Sequence, residues 1–482
     1  MSALPEFAQL IVDAPAAAGR RSVTAPFDGT DLAVVETSGM AARQQALATA
    51  EAWYRDRDGW LSVTERIAMF ERAAAIMQAR FDELAIGAAA EGGKPLIDSK
   101  VEVARAIDGL KICIETLRTE QGTVVPMAGT ASGEGRLAIT QREPIGVVVA
   151  VSAFNHPLNL IVHQVAAAVA AGCPVIVKPA DDTPLSCLRF VSILHEAGLP
   201  PASCQAIISD TLDEAEALVT DPRVAFFSFI GSARVGWMLR SKLAPGTRCA
   251  LEHGGAAPLI LAADADLDAA VPSALKGGFY HAGQVCVSVQ RVFADARIAR
   301  EFAERLAHGA DALRIGDPTD LATEVGPLIR PREVERIGTW VDEAVAAGAE
   351  RLAGGAALSD SLYPCTVLYD PPATAKVSTE EIFGPVVCIY PFDDLDAAIA
   401  QANAVPWSFQ GAVFTRSLET ALRVYKRLDG SAIMVNDHTA FRIDGMPFAG
   451  LKQSGLGVGG IPYSMHDMSI EKMLVIKSAE LS

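Results

Sequence analysis

Residues 146–251 open on Gly146-Val147-Val148-Val149-Ala150-Val151-Ser152, and the segment then repeats one pattern, a short β-branched run followed by an amphipathic stretch. The β-branched runs are 147–151, 175–177, 205–208, 225–229 and 248–251, and the stretches 158–171, 184–196, 212–219 and 232–243 between them carry helical periodicity. Strands alternating with helices in this way predict a parallel, doubly wound α/β sheet. Such a sheet takes ligands beyond the carboxyl ends of its strands, so the residues that follow each strand carry the information. Ser152-Ala153-Phe154-Asn155-His156-Pro157 follows the first, Lys178-Pro179-Ala180-Asp181 the second, and Gly231-Ser232-Ala233-Arg234-Val235-Gly236 the fourth. No Gly-x-Gly-x-x-Gly follows the first strand, so the usual dinucleotide fingerprint is missing. The fourth-strand turn opens a helix instead, where unpaired N–H groups and the Ser232 hydroxyl face an anion.

Just past the last strand, Leu251-Glu252-His253-Gly254-Gly255 and then Gly283-Gln284-Val285-Cys286-Val287-Ser288 bracket one carboxylate and one thiol. A Cys is mostly protonated at neutral pH, so a nucleophilic one needs surroundings that favour the thiolate. A fold that returns the chain through one helix brings Glu252 and Cys286 together as base and nucleophile. The plainer reading of a lone Cys in an apolar run is a small buried hydrophobe.

The rest of the chain sets bounds. A length of 482 residues is too great for one core and predicts two or three domains. Half the residues are apolar and 21% are charged, the balance of an ordinary globular chain. A net charge of −17 argues against a nucleic-acid footprint or attraction to an anionic membrane surface. There is no basic-then-apolar leader and no membrane-length apolar run, and the eight Cys are scattered singly. Reduced thiols in the cytoplasm are expected, with no metal site. Upstream, 41–54, 62–80, 81–91 and 100–118 read as helices, the second with a Ser62-x-x-Glu65 capping box, and 137–142 as a strand. Downstream of Leu261 a second α/β region begins, with a long helix over 266–282 leading to Cys286.

Glu252-x-Gly254-Gly255, Gly283-Gln284-x-Cys286 and Glu381-Ile382-Phe383-Gly384-Pro385-Val386, in that order and spacing, resemble the aldehyde dehydrogenase superfamily over nearly the whole chain. The resemblance implies two doubly wound domains, a Rossmann-like cofactor domain (1–120 and 144–252) and a catalytic domain (253–464), plus a small β oligomerisation arm (121–143 and 465–482). It implies a catalytic set of Cys286, Glu252, Asn155 and Lys178. Cys286 attacks an aldehyde carbonyl, Asn155 and the Cys286 N–H hold the oxyanion, and Glu252 activates water to release a carboxylic acid. Acyl transfer to coenzyme A is disfavoured, because family members that do it lack this Glu. The implied cofactor set is Ser152, Ala153, Phe154, Lys178, Asp181, Gly231, Ser232, Val235, Gly254, Glu381 and Phe383. Asp181 stands where the family commonly has Glu; its carboxylate near the 2′ position favours NAD, while its shorter reach leaves NADP open. A homodimer or homotetramer is implied, with 470–476 docking on a partner subunit.

Asn155, His156, His163, Arg105, Val285, Val287 and Arg442 are the expected substrate contacts. Two imidazoles where the family has aromatic rings, with two arginines, point to a small polar or anionic aldehyde: lactaldehyde, glyceraldehyde or its phosphate, a semialdehyde, or phosphonoacetaldehyde. Departures from the family pattern include Phe154 for Trp, His253 for Leu and Ala256-Ala257 for Lys-Asn. Two other classes stay open. One is a cofactor-independent Cys-dependent hydrolase or thioesterase, which lacks an evident Cys–His pairing. The other is a non-catalytic binding protein with the same fold.

Overall fold

The computed structural model describes residues 4–481. Its first large sheet has six strands in the order Gly455–Leu456, Arg248–Glu252, Val224–Ile230, Val147–Val151, Val175–Lys178, Cys204–Ala206. The last five run parallel. Gly455–Leu456 joins the edge antiparallel, a strand that its Gly-rich sequence does not announce. Residues 147–150 are buried on both faces, which is why this strand reads as an unbroken β-branched run rather than an alternation. Strand order reverses between Val147–Val151 and Val224–Ile230. The turns after these two strands, 152–157 and 231–236, therefore flank the switch-point crevice.

The second sheet has seven strands, ordered Glu350–Ala353, Thr366–Tyr369, Val386–Phe392, Val289–Asp295, Ala257–Leu261, Gln410–Phe414, Ala432–Val435. All pairs are parallel except the first. Separate apolar clusters underlie the two large sheets. Phe190 anchors one and Phe293, Phe302 and Phe414 the other, and fully burying each such ring contributes about 1.5–3 kcal/mol. A third sheet pairs Ser469–Lys477 with Arg136–Pro144 along nine residues, with Val124–Val125 outside. On it Met473, Leu474, Val475 and Ile476 are all exposed. No helix among the described residues is long and apolar enough to cross a membrane.

Two local departures matter for the site. The helix expected over 266–282 spans only Leu267–Phe279. Tyr280 turns out of it, and His281, Ala282 and Gly283 follow with φ of 50°, 53° and 68°. Left-handed backbone at a non-glycine residue costs roughly 1–2 kcal/mol, so this kink opposes local preference and is held by tertiary contacts. Likewise, the helix after Pro157 carries a π-helical segment, Val162–Ala166, which contains His163. Single π turns recur at functional sites because they re-aim side chains.

Candidate active site

The loop that carries Cys286 is shaped by its glycine and its glutamine. A Cβ on Gly283 would stand 2.1 Å from the Gly384 carbonyl oxygen, so only glycine lets the two segments approach. The Gln284 side chain donates to the Pro327 carbonyl at 3.2 Å and accepts from the Ile329 N–H at 3.0 Å. Its backbone carbonyl accepts from Asn155 Nδ2 at 2.9 Å. Thr439 Oγ1 donates to the Val287 carbonyl at 2.6 Å, which docks the 438–442 loop on the other side of Cys286.

Cys286 is half-buried at the floor of a cleft of about 530 Å³. Every residue that the sequence analysis placed in the catalytic, cofactor and substrate sets lines this cleft, except His163. His163 is buried and does not line the cleft, and both its ring nitrogens are engaged: Nε2 sits 2.6 Å from Asp444 Oδ1 and Nδ1 is 3.4 Å from Arg442 Nη2. An arginine can only donate, so the His163 proton is on Nε2 and goes to Asp444. The substrate contact expected of His163 is thereby corrected to a support beneath Arg442.

Burial pushes the Cys286 thiol up to about 12, against the pull of Arg442 and with a push from Glu252. Cys286 therefore rests as the thiol. Glu252 is raised by burial and lowered by Arg442. A Cβ on Gly459 would stand 2.0 Å from Glu252 Oε1, so the carboxylate lies flush against a bare backbone. The carboxylate is the free end of its side chain, and Gly459→Ala would therefore push it aside rather than unfold the protein. With Glu252 in the role of base expected from the sequence, the result is roughly a tenfold loss of steady-state turnover with the first turnover unchanged, read by stopped-flow absorbance. A mutant that slows the first turnover equally would contradict it.

Along the cleft from Cys286, the Glu381 carboxyl accepts the Gly255 N–H at 3.1 Å and is raised by burial to about 7. A Cβ on Gly254 would overlap it, at 1.6 Å. The Phe383 ring meets the Phe154 ring edge-on at 5.8 Å. Farther along, the Ala233–Arg240 helix begins at Ser232, whose side chain makes no cap bond. Its neighbour His253 donates Nδ1–H to the Gly231 carbonyl at 2.9 Å. Also lining the cleft, Lys178 Nζ donates to Asp181 Oδ1 at 2.9 Å, and Arg21 lies 3.4 Å from the same oxygen. Burial works to raise Asp181, but Lys178 and Arg21 hold it below the usual range, so it is ionised.

A dinucleotide fits this cleft. The buried Ser152 hydroxyl has no partner, the Ser232 turn offers free N–H groups, and Lys178 with Asp181 presents a donor and an acceptor for ribose hydroxyls.

Sequence reading missed four contributors. Asp444 takes both Arg105 contacts, Nε at 3.0 Å and Nη2 at 2.7 Å, and a third donor from Asn159 Nδ2 at 3.0 Å. Burial opposes its charge, but hydrogen bonds from His163 and Arg105 hold Asp444 far below the ordinary carboxylate range. Its position two residues after Arg442 was the only available signal. Lys94 and Glu102, fully buried behind His156, and Gly459, against Glu252, gave none.

A model of the aldehyde dehydrogenase family matches residues 14–474. The 3-sulfolactaldehyde dehydrogenase of Priestia aryabhattai is 36% identical over 412 residues, 86% of each chain. Aldehyde dehydrogenase 21 of Physcomitrella patens, solved in complex with the reaction product succinate, superposes with a TM-score of 0.94 at 32% identity and covers 99% of both chains. The glyceraldehyde-3-phosphate dehydrogenase GapN of Methanocaldococcus jannaschii, complexed with NADP, gives 0.90 at 31% identity over 95% of this chain and 99% of its own. The chain belongs to the aldehyde dehydrogenase family and is an NAD(P)-dependent aldehyde dehydrogenase.

Proposed function

We propose that this enzyme oxidises a short aldehyde carrying an anionic group, a sulfonate, phosphate, phosphonate or carboxylate, to the corresponding acid. The observation that carries the reading is Arg442. Its guanidinium lies 3.7 Å from the centre of the Phe448 ring, lines the cleft with Cys286 and has a buried Nε without a partner. Arg105 is already matched by Asp444, so the charge left for a ligand is that of Arg442. Arginine keeps its proton at any physiological pH, and its fork suits an oxyanion group. Two relatives fit, since one acts on sulfolactaldehyde and another was solved with succinate. A cationic aldehyde would meet like charge.

In this reading Cys286 attacks the carbonyl carbon as its thiol proton passes to solvent in the cleft. Asn155 Nδ2, which has a second hydrogen beyond the one given to Gln284, and the Cys286 N–H receive the oxyanion. NAD(P), once bound, would supply the hydride acceptor for oxidation of the Cys286 thiohemiacetal to a thioester. Glu252 then takes a proton from water as the thioester is hydrolysed. Lys178, Asp181, Ser152, Ser232 and Glu381 are the residues that hold the cofactor. The Asp181 carboxylate favours NAD, and Arg21 beside it keeps NADP in play. The exposed strand Ser469–Lys477 is the face on which a second copy docks.

The hydrolase reading loses support because neither histidine expected at the substrate site is paired with Cys286: His156 Nδ1 meets Lys94, and His163 meets Asp444 and Arg442. The test is Arg442→Leu on matched anionic and neutral aldehydes. Loss of a charge-assisted pair costs about 2–5 kcal/mol, so kcat/KM on the anionic aldehyde is expected to fall roughly 10²-fold, and on the neutral one far less. Equal losses on both would reject the anionic substrate.

A further inference from the structure

We propose that Lys94 and Glu102 form a buried brace that fixes His156 as an Nε2–H donor facing the substrate, so that the enzyme selects aldehydes with an acceptor oxygen on their chain. The proposal rests on the reading above in placing the substrate at the Arg442 end of the cleft.

The Lys94 side chain is 0% exposed and lies just before the Leu96–Thr119 helix, which carries Glu102. A lysine buried so completely needs a carboxylate, and Glu102 Oε2 supplies it. The other oxygen of Glu102 accepts the Leu158 and Asn159 N–H groups, each at 2.9 Å. One carboxylate therefore ties down both the ammonium and the backbone just beyond His156.

Lys94 Nζ lies 2.7 Å from His156 Nδ1. An ammonium has hydrogens to give and no lone pair to receive one, so Nδ1 must be the unprotonated nitrogen and the ring hydrogen sits on Nε2. The surroundings agree. Burial disfavours imidazolium here first, and Lys94, Arg105, His281 and Arg442 all press in the same direction. Burial lowers the Lys94 pKa overall, with Glu102 pulling the other way; the geometric reason to place an ammonium here is the direct contact of Nζ with the Glu102 carboxylate. His156 lines the cleft, whereas Lys94 and Glu102 do not. Tyr280 and His281 lie tilted beside it with ring centres 6.1 and 6.3 Å away. Its Nε2 is bonded to no protein group among the described residues and is not sealed from the cleft. The result is a neutral, oriented donor beside the positive charge of Arg442. A plain alkyl chain leaves this N–H unpaired, while a hydroxyl or anionic oxygen satisfies it. Lys94 touches no substrate and is a positioning residue.

The experiment compares kcat/KM for three aldehydes of equal length, anionic, neutral 2-hydroxylated and plain alkyl, in wild type, Lys94→Met, Lys94→Gln, His156→Phe and the Lys94→Met/His156→Phe double mutant. The hydroxylated-to-alkyl ratio is expected to fall roughly tenfold in Lys94→Met and in His156→Phe, the scale of one lost hydrogen bond. It should fall no further in the double mutant, because the lysine acts only through the ring. Lys94→Gln, whose amide can still donate to Nδ1, should recover most of the ratio. A Lys94→Met effect equal on all three aldehydes, or one that adds to His156→Phe, would overturn the proposal. Should Lys94→Met fail to fold, the imidazole nitrogen-15 spectrum of the wild-type protein decides. Neutral His156 protonated on Nε2 supports the brace, and an Nδ1-protonated or charged ring overturns it. Failure of the anionic reading shows separately, in an anionic-to-hydroxylated ratio that Arg442→Leu leaves unchanged.

Discussion

Cys286→Ala is expected to lower NAD(P)-linked aldehyde oxidation by roughly 10⁴-fold or more, the scale on which removing a covalent nucleophile acts, while cofactor binding survives. No other thiol can take over. Of the eight cysteines, Cys113, Cys173, Cys187, Cys204, Cys365 and Cys388 are buried, and Cys249 lines a separate surface pocket near Arg240. Cys286 sits in a small apolar cluster with Val285, Val287, Phe409 and Phe448, where loss of one sulfur leaves the loop held by Gln284 and Thr439. The fold should survive. Reduced-cofactor absorbance gives the rate, and quenching of protein fluorescence on adding NAD or NADP gives the binding. Because the thiol rests protonated, held up near 12 by burial, general alkylating reagents should react slowly with the free enzyme. Turnover retained in Cys286→Ala would remove the covalent route. Cofactor-free ester or thioester hydrolysis by the wild type, with no aldehyde oxidation, would move the assignment to a hydrolase.

The parallel sheet was legible because strands buried on both faces must be apolar throughout, and 147–151 and 175–177 are. The strand expected over 205–208 is assigned only to Cys204–Ala206, although the Ile207 N–H still reaches the Val177 carbonyl at 2.9 Å. The kink at 280–283 was not legible. His281 and Ala282 have ordinary helical preferences, and what turns them left-handed is the approach of Gly283 to Gly384, a contact about a hundred residues away in sequence. Periodicity therefore carried the expected helix three residues too far. The same limit applied to the site. Cys286, Asn155, Glu252 and the strand-end residues were named from motifs, and folding gathers them around one cleft. His163 was placed by analogy with an aromatic wall, but the π segment and Asp444 turn it away from that wall. Asp444 joins Arg105, Asn159 and His163 only through tertiary folding, and no local spacing encodes such a network.

Glu252→Gln is expected to separate the two halves of the reaction. The carboxylate is buried against Gly459, and no hydrogen bond from another protein group satisfies it among the described residues, so it is free to bind water. Formation of the thioester draws on Cys286, whose thiol proton passes to solvent, and on the oxyanion donors, whereas its hydrolysis draws on Glu252 as the base. The amide keeps the shape and cannot accept a proton. The first turnover should therefore appear as a burst of reduced cofactor close to one equivalent per site, followed by a steady state roughly 10³-fold slower than wild type. The pH dependence fixes the sign. Burial raises the Glu252 pKa, so in the wild type the active carboxylate is lost as pH falls through that raised value, and hydrolysis slows on the acid side. In Glu252→Gln that limb should disappear, since nothing remains there to titrate, while the burst amplitude stays constant. An added strong nucleophile such as hydroxylamine should restore turnover in the mutant, because it attacks the accumulated thioester without needing a base. A mutant that loses the burst together with the steady state would assign Glu252 to activation of Cys286 instead, and the acid limb of the wild-type profile would then have to appear in single-turnover rates as well.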